Sequence, residues 1–429
     1  MTDIVVLGAG PSGAAVALGL KRLGYSVRVV SEWRRFTAVE GVSQRVLDGL
    51  RQAGLQRALA CAAAPSPRRV LWNGDGQTIN QECLLDRPRF DAAIREDLRE
   101  AGIETLEARV LRVESTDAGH LIHLDSREPL RADFLVEARG RSAPLAGGRL
   151  RGPETLSLLN QWQEAPGYPG SAVESLPDGW AWMARLVDGR CYWQITQDAG
   201  GLPPKDQLPD YCAQRRAESA LVRELFGDAA LEPASLHARS STAILFHEAS
   251  GPNWLRVGDA AMAVDPLSGN GIFQSLSSAL QAPAVINTLL QRPDRAEFAR
   301  QFHQRRVEHL FLRFARTGRD FYALEQRWPD QPFWRDRRTW PDAEPMHAPV
   351  DFSQVRVERA PVIHGDLIEE VDVVITADQP LGIWHLQGIE LAPLVAALKR
   401  GELNQALAGL PEPQRRMVQG WLLSQGYRP

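Results

Sequence analysis

The sequence feature that most constrains the fold is a glycine-rich turn, Gly8-Ala-Gly-Pro-Ser-Gly13, which directly follows the apolar run at 3–7. An Ala- and Leu-rich stretch at 14–23 predicts a helix, and residues 27–30 predict a second strand. A strand, a Gly-x-Gly-x-x-Gly turn, a helix and a second strand make up the βαβ unit that binds dinucleotides. The pattern is specific because the turn stands between a strand and a helix.

Each residue of this turn has a physical reason to be there. Gly8 permits the tight turn, Gly10 lets a pyrophosphate approach the backbone, and Gly13 lets the helix pack closely on the strand. Pro11 and Ser12 complete the turn. The helix that begins here offers N–H groups and the positive end of its dipole to phosphates.

The adenosine ribose is usually held by an acidic residue at the end of the second strand. In this sequence the usual spacing falls on Ser31, and Glu32 is the next residue. Two interpretations stay open at this point: a neutral hydrogen bond from Ser31, or a carboxylate shifted by one residue to Glu32.

A second element, far along the chain, favours FAD over a nicotinamide. A predicted strand ends in Gly258-Asp259, and Asp265-Pro-Leu-Ser-Gly-Asn-Gly271 then leads into a predicted helix. Asp259 can accept hydrogen bonds from a ribityl hydroxyl. Backbone N–H groups at the helix start stabilise negative charge on the N1–C2=O edge of a reduced flavin. The residues predicted to form this loop are Pro266, Gly269, Asn270 and Gly271.

With these motifs the chain resembles the FAD-dependent aromatic hydroxylases and flavin-dependent halogenases over about residues 1–325. The resemblance implies that Arg45, on the helix after the second strand, contacts FAD. It also implies a cofactor contact at Arg139, where Val136-Glu-Ala-Arg-Gly-Arg-Ser142 departs from the family's Ala-Asp-Gly-x-Ser. This departure leaves the external reductant open between NADH, NADPH and a reductase.

Members of this family react reduced flavin with O2 to form a C4a-hydroperoxide, which hydroxylates aromatic rings or, in halogenases, oxidises halide. Halogenases need a lysine before the middle motif, and this chain has none from 22 to 204. It keeps Trp180 and Trp182 of the halogenase Trp-x-Trp stretch, either as sheet packing or as the lining of a substrate cavity. Hydroxylation is therefore the favoured reaction.

Three features carry a narrower resemblance: the Gly-Asp-Ala-Ala…Asp-Pro-Leu-Ser-Gly-x-Gly form, the Glu-Ala-Arg-Gly-Arg-Ser middle motif and an extra C-terminal domain. With them the chain looks most like the flavoproteins that make tryptophylquinone cofactors, in particular for quinohemoprotein amine dehydrogenase. This resemblance implies hydroxylation of a tryptophan side chain on a partner polypeptide, the precursor of the small quinone-bearing subunit. The alternatives are a hydroxylase of a small phenol or indole, a halogenase and a non-catalytic FAD-bound scaffold. The acid–base candidates are Glu40, just after the second strand, and Asp265, just before the flavin loop.

The predicted fold class is α/β: a Rossmann-like FAD-binding domain interleaved with a β-sheet substrate domain, plus a small C-terminal α+β domain. We assign the FAD domain to 1–65, 88–150 and 250–325, and the substrate domain to 66–87 and 151–249. A linker at 326–340 then precedes a C-terminal domain at 341–429. An Arg-rich stretch at 292–338 is followed by an acidic stretch at 341–376. Two interpretations stay open: the charges steer a partner, or the two stretches pair with each other.

The composition of the chain excludes some classes of binding partner and indicates where the protein is found. A net charge of −4 argues against a nucleic-acid partner, and the apolar stretches are shorter than the ~20 residues of a membrane span. The four cysteines are far apart with no Cys-x-x-Cys pair, which predicts buried thiols and no metal site. The start of the sequence does not read as a signal peptide, so we expect a cytoplasmic protein.

Overall fold

The computed structural model describes residues 2–33, 37–125, 127–144, 147–227, 235–269 and 271–428, apart from the side chains of Ile79 and Ser268. In this part of the chain the strands are β1 Asp3–Leu7, β2 Ser26–Ser31, β3 Val39–Val42, β4 Ser66–Trp72, β5 Asp75–Asp86, β6 Glu104–Glu107, β7 Val110–Thr116, β8 Gly119–Leu124, β9 Leu130–Ala132, β10 Phe134–Glu137, β11 Arg149–Arg151, β12 Thr155–Gln163, β13 Gly170–Leu176, β14 Gly179–Arg185, β15 Arg190–Asp198, β16 Ser235–Ser240, β17 Ile244–Phe246, β18 Trp254–Arg256, β19 Met262–Ala263, β20 Arg356–His364, β21 Leu367–Thr376, β22 Gln379–Ile383, β23 His385–Leu386 and β24 Ile389–Glu390. The α-helices are α1 Pro11–Arg22, α2 Gln44–Ala53, α3 Gln56–Leu59, α4 Arg87–Glu100, α5 Leu208–Glu218, α6 Ala220–Phe226, α7 Gly271–Gln291, α8 Ala296–Leu324, α9 Pro332–Arg337, α10 Leu391–Lys399, α11 Leu403–Ala408 and α12 Glu412–Ser424.

A five-stranded sheet with the order β18-β10-β1-β2-β6 carries the glycine-rich turn. All four strand pairs in it are parallel. Strand β1 is buried from Ile4 to Leu7, as expected of a parallel strand covered on both faces. The predicted βαβ unit and the α/β fold class are confirmed.

A second sheet has eight mostly antiparallel strands in the order β16-β12-β15-β14-β13-β4-β5-β3, and these strands are interleaved along the chain with those of the first sheet. One face packs on α5 and α6 through a cluster that includes Trp162, Trp193 and Phe226. Another cluster joins the sheet to the segment after α8, through Trp180 and Trp334. The central strands β13, β14 and β15 are therefore buried on both faces.

The chain divides into two compact units. The first consists of Met1–Pro283 and Val307–Ala343, and contains both large sheets. The second consists of Ala284–Arg306 and Glu344–Pro429. It has a three-stranded antiparallel sheet, β20-β21-β22, and a core around Val374, Val395 and Leu422. The domain boundaries given above stay predictions.

The stretch predicted as a linker, 326–340, includes α9, whose Trp334 is fully buried and donates to the Leu176 carbonyl at 3.1 Å. Ser219 separates α5 from α6, and its hydroxyl accepts from the Val222 N–H and thereby caps α6. Among the described residues, no helix has a run long and apolar enough to cross a bilayer.

Charge pairing within each unit involves the Arg-rich stretch. In the first unit Arg316 pairs with Asp342 at 2.9 Å. In the second, Arg295 pairs with Glu369. These contacts favour mutual pairing of the basic and acidic stretches. Of the cysteines, Cys83, Cys191 and Cys212 are buried thiols as predicted, and Cys61 is half-buried.

Candidate functional site

The glycine-rich turn is held by its own backbone and leaves space at one position. Gly8 has φ +103°, and a Cβ there would lie 2.4 Å from the Ala138 carbonyl oxygen. A Cβ on Gly13 would lie 1.9 Å from the Gly8 oxygen, whereas one on Gly10 meets no atom within 4 Å. Gly8 and Gly13 are thus required for packing, and Gly10 leaves open space at the N-terminus of α1. That geometry fits a pyrophosphate.

The residues after β2 have different environments. Ser31 is buried, and its hydroxyl accepts a hydrogen bond from the Ala9 N–H at 3.1 Å. Glu32 is exposed at the carboxyl end of the strand. Because the Ser31 hydroxyl already holds the glycine-rich turn, the arrangement favours Glu32 as the ribose contact.

The second predicted element meets the first in space. Gly258 follows β18 with φ +59°, and a Cβ there would lie 2.5 Å from Ser12 Oγ on α1. Its N–H donates to Ser278 Oγ on α7 at 2.9 Å. Only a glycine fits between α1 and α7 here, and this close packing brings two distant sequence motifs into one site.

Asp259 lies beside an arginine that sequence reasoning missed. Its Oδ2 is 3.7 Å from Arg141 Nε, and Ser275 Oγ donates to Oδ1 at 3.4 Å. Arg141 is fixed by the Thr242 and Val264 carbonyl oxygens. Burial raises the pKa of Asp259, and the Arg141 charge only partly offsets this. The signal for Arg141 was present in the middle motif, two residues after Arg139.

The middle motif forms a tight local ion pair. Arg139 Nε donates to both Glu137 carboxylate oxygens, at 3.0 and 3.2 Å, and the Arg139 N–H donates to Oε1 at 3.0 Å. Both side chains are largely buried. The guanidinium predicted to contact cofactor is therefore directed at its neighbouring carboxylate. Arg45 is exposed in the first turn of α2.

Glu40, the first acid–base candidate, belongs to a charged cluster around Arg87. It lies on β3, and its Oε1 accepts from Arg87 Nη1 at 2.6 Å. Arg87 also bonds Asp91 Oδ1 at 2.8 Å. Burial alone would lower the pKa of Arg87, but the two carboxylates raise it. Glu40 is thus held as the counter-ion of a buried cation, and its charge also raises the pKa of Asp259.

Asp265, the second candidate, sits at the start of the predicted flavin loop. Its Oδ1 accepts from the Leu267 N–H at 2.9 Å and from the Tyr322 hydroxyl at 2.8 Å. The Tyr322 hydroxyl in turn accepts from Trp180 Nε1 at 3.2 Å. Desolvation raises the pKa of Asp265 in spite of these donors. Trp180 is therefore a buried core residue whose indole N–H also donates a hydrogen bond.

The loop after Asp265 has the open backbone that was predicted. Pro266 begins a single 3-10 turn, and Gly269 follows with φ +62°. Among the described residues, a Cβ on Gly269 or on Gly271, the first residue of α7, would meet no atom within 4 Å. Asn270 lies outside the described residues.

Comparison with known proteins agrees with this geometry. Residues 1–307 match the family model described as FAD binding domain. The solved structure of the peptidyl tryptophan dihydroxylase QhpG, essential for tryptophylquinone cofactor biogenesis, is 66% identical over 100% of both chains, with a TM-score of 0.89. The tryptophan 2-halogenase of Chondromyces crocatus is 25% identical over 78% of this chain and 70% of its own.

The flavin-dependent halogenase CmlS shares the fold at 16% identity, with a TM-score of 0.80 over 99% of this chain and 95% of its own. The predicted resemblance and the predicted FAD cofactor are both confirmed. The chain belongs to the FAD-binding-domain family and is similar over its whole length to the peptidyl tryptophan dihydroxylase QhpG.

Proposed function

We propose that this protein is an FAD-dependent monooxygenase that hydroxylates a tryptophan side chain of a partner polypeptide during tryptophylquinone biogenesis. The observation that carries the proposal is 66% identity to QhpG over the whole of both chains. The site supports it independently, since both elements expected of an FAD enzyme lie against each other at Gly258 and Ser12.

We assign the cofactor contacts from the open positions of the site. The turn at Gly10 and the first turn of α1 would hold the pyrophosphate, and Glu32 the adenosine ribose. Asp259 would accept from the ribityl chain, and the backbone at Gly269 and Gly271 would face the flavin. Bound FAD, once reduced, supplies the activation of O2.

Hydroxylating an indole also requires removal of a proton from the ring carbon that receives oxygen. Of the two candidates, we assign this role to Asp265, because Glu40 is held by the buried Arg87. A base with a raised pKa accepts a proton more readily near neutral pH than an ordinary aspartate does. Glu40 then acts through charge, as counter-ion of Arg87 and neighbour of Asp259.

The partner is proposed to be the precursor of the small quinone-bearing subunit, and the site of the reaction the cytoplasm. Three buried, unpaired thiols among the described residues support a reducing compartment. The basic and acidic stretches pair with each other within the units, so we do not assign them to partner docking.

Intact-mass spectrometry tests the function directly. The precursor polypeptide is incubated with this protein, FAD, a reductant and isotopically labelled O2. A gain of one or two labelled oxygen atoms that maps to tryptophan is expected. The same polypeptide with that tryptophan changed to phenylalanine is the control and should gain none. An unmodified polypeptide, together with flavin that reoxidises and releases hydrogen peroxide, would overturn the proposal.

A further inference from the structure

A small cavity in the first unit reaches Asp265, the residue that precedes the flavin loop. Its lining includes Asp265, Tyr322 and Arg337, together with Arg319 and Trp340. Its volume is sufficient for about one water molecule. Most of the lining is apolar, but Asp265, Tyr322 and Arg337 bring polar groups to it, and a cavity of this size binds water only where such groups are present.

Arg337 provides an independent reason for a ligand in this cavity. The residue is only 3% exposed, and its Nη1 donates to the Phe333 carbonyl at 3.1 Å. Its Nη2 donates to Thr155 Oγ1 at 2.6 Å. Its Nε is buried and has no hydrogen-bond partner among the described residues. A buried N–H of a charged group costs free energy unless it is paired, and an ordered water is the usual partner.

The charged and titratable groups around Asp265 come from several elements. Tyr322 on α8 donates to the carboxylate, and Arg319 of the same helix lines the cavity. The charges of Arg337 on α9 and of Arg141 both lower the pKa of Asp265 and so oppose desolvation. Tyr322, Arg337 and Arg141 each favour the ionised carboxylate, which is the form that can accept a proton.

We propose that one water molecule in this cavity bridges Arg337 Nε and the Asp265 carboxylate, and that Tyr322 and Arg337 are positioning residues that keep Asp265 ionised and oriented as the base. The inference rests on the proposed function. In the step concerned, the C–H bond of the oxygenated indole carbon breaks, its electron pair restores the aromatic ring, and the proton moves to Asp265. Neither Tyr322 nor Arg337 exchanges a proton with substrate.

The water is tested without turnover. A high-resolution crystal structure of the wild-type protein is expected to show an ordered water within hydrogen-bond distance of both Arg337 Nε and Asp265. An electron-density map without a water in the cavity would overturn the proposed water bridge. So would a water within hydrogen-bond distance of only one of the two groups. This measurement does not depend on the substrate, so it stands even if the proposed function fails.

The positioning role is tested by Tyr322→Phe, with single-turnover hydroxylation of the precursor polypeptide measured against pH. Loss of the hydroxyl donor makes the carboxylate harder to ionise, so the acidic limb should move to higher pH by about one unit. The rate on that limb should then fall about tenfold, with FAD affinity unchanged.

A matched control is Tyr211→Phe, which removes a tyrosine hydroxyl that donates to Asp178 Oδ2 at 2.6 Å, away from this cavity. Its pH profile should match that of the wild type. An unmoved profile for Tyr322→Phe, in a series where the wild type hydroxylates, refutes the positioning role alone. A wild type that never hydroxylates refutes the proposed function instead.

Discussion

Replacing Gly10 with alanine should separate cofactor binding from folding. The Gly10 backbone has φ −70° and ψ 179°, which alanine adopts without strain, and the added Cβ meets no atom within 4 Å. Alanine in place of glycine reduces the entropy of the unfolded chain, worth about 0.4–1 kcal/mol. It also weakens the N-cap of α1 by about the same amount. The stability of the apo-protein should therefore change by less than about 1 kcal/mol.

The effect on FAD should be much larger. The Cβ would occupy the space through which the pyrophosphate approaches the first turn of α1. Loss of one hydrogen bond to a charged group costs about 1.5–3 kcal/mol. That corresponds to a Kd for FAD roughly 10- to 160-fold weaker.

Quenching of FAD fluorescence on titration with apo-protein measures the Kd, and urea denaturation measures stability. Gly13→Ala is the contrasting variant, since its Cβ would lie 1.9 Å from the Gly8 oxygen and should destabilise the fold itself. Gly420→Ala, on α12 with no atom within 4 Å, is the neutral control and should bind FAD normally. Undiminished FAD affinity in Gly10→Ala would refute the placement of the pyrophosphate. A loss of apo stability as large as that of Gly13→Ala would refute the open-space argument.

Three further outcomes follow from burial and charge. Trp334→Ala should lower the free energy of unfolding by about 3–5 kcal/mol, because a fully buried indole leaves a cavity; a loss below about 1 kcal/mol in urea denaturation would contradict its core position. Asp265 has a raised pKa in the folded state, so its folded form binds the proton more tightly than the unfolded chain does. Protonated Asp265 therefore contributes its whole stabilising free energy below the unfolded-state pKa of about 3.9. That contribution is lost as the pH rises through the pKa of Asp265 in the folded state. Asp265→Asn should therefore gain stability over wild type as pH rises above 4, and parallel curves would refute this. Glu40→Gln removes one of two carboxylates from the buried Arg87 and should cost about 1–3 kcal/mol. The exposed Glu114→Gln should cost less than about 0.5 kcal/mol, and equal costs for the two would show that burial of the pair does not matter.

The cofactor end of the site could be predicted from sequence because backbone geometry determines it. The predicted strand at 3–7 and the helix from 14 onward correspond to β1 and α1, since a parallel strand buried on both faces appears as an unbroken apolar run. Gly258 could be placed opposite α1 only by analogy with the motif. The structure supplies the reason, which is the approach of Ser12 Oγ.

The proton-handling end could not be predicted in the same way. Tyr322 and Arg337 lie in a stretch with twelve arginines between 292 and 338, and a sequence pattern does not show which of these become buried. The preference for Glu32 over Ser31 as the proposed ribose contact also depends on the structure, because the Ala9 N–H donates a hydrogen bond to the Ser31 hydroxyl. In each case a long-range contact decides the role of a residue whose local sequence is ambiguous.

Acidic residues of the middle motif and of the site around it are paired with arginines. FAD brings a doubly charged pyrophosphate into a site that already contains several carboxylates, and uncompensated acids there would repel it. Three acidic residues each pair with an arginine: Glu137 with Arg139, Asp259 with Arg141, and Glu40 with Arg87, which Asp91 shares. Arg139 stands where the family has an aspartate, and its guanidinium binds the adjacent glutamate through two nitrogens, a geometry that lysine cannot provide. Glu137 ends β10 directly beside Leu7, the last residue before the glycine-rich turn. An unpaired carboxylate at that position would oppose phosphate binding at α1, and the Glu137–Arg139 pair removes that net negative charge.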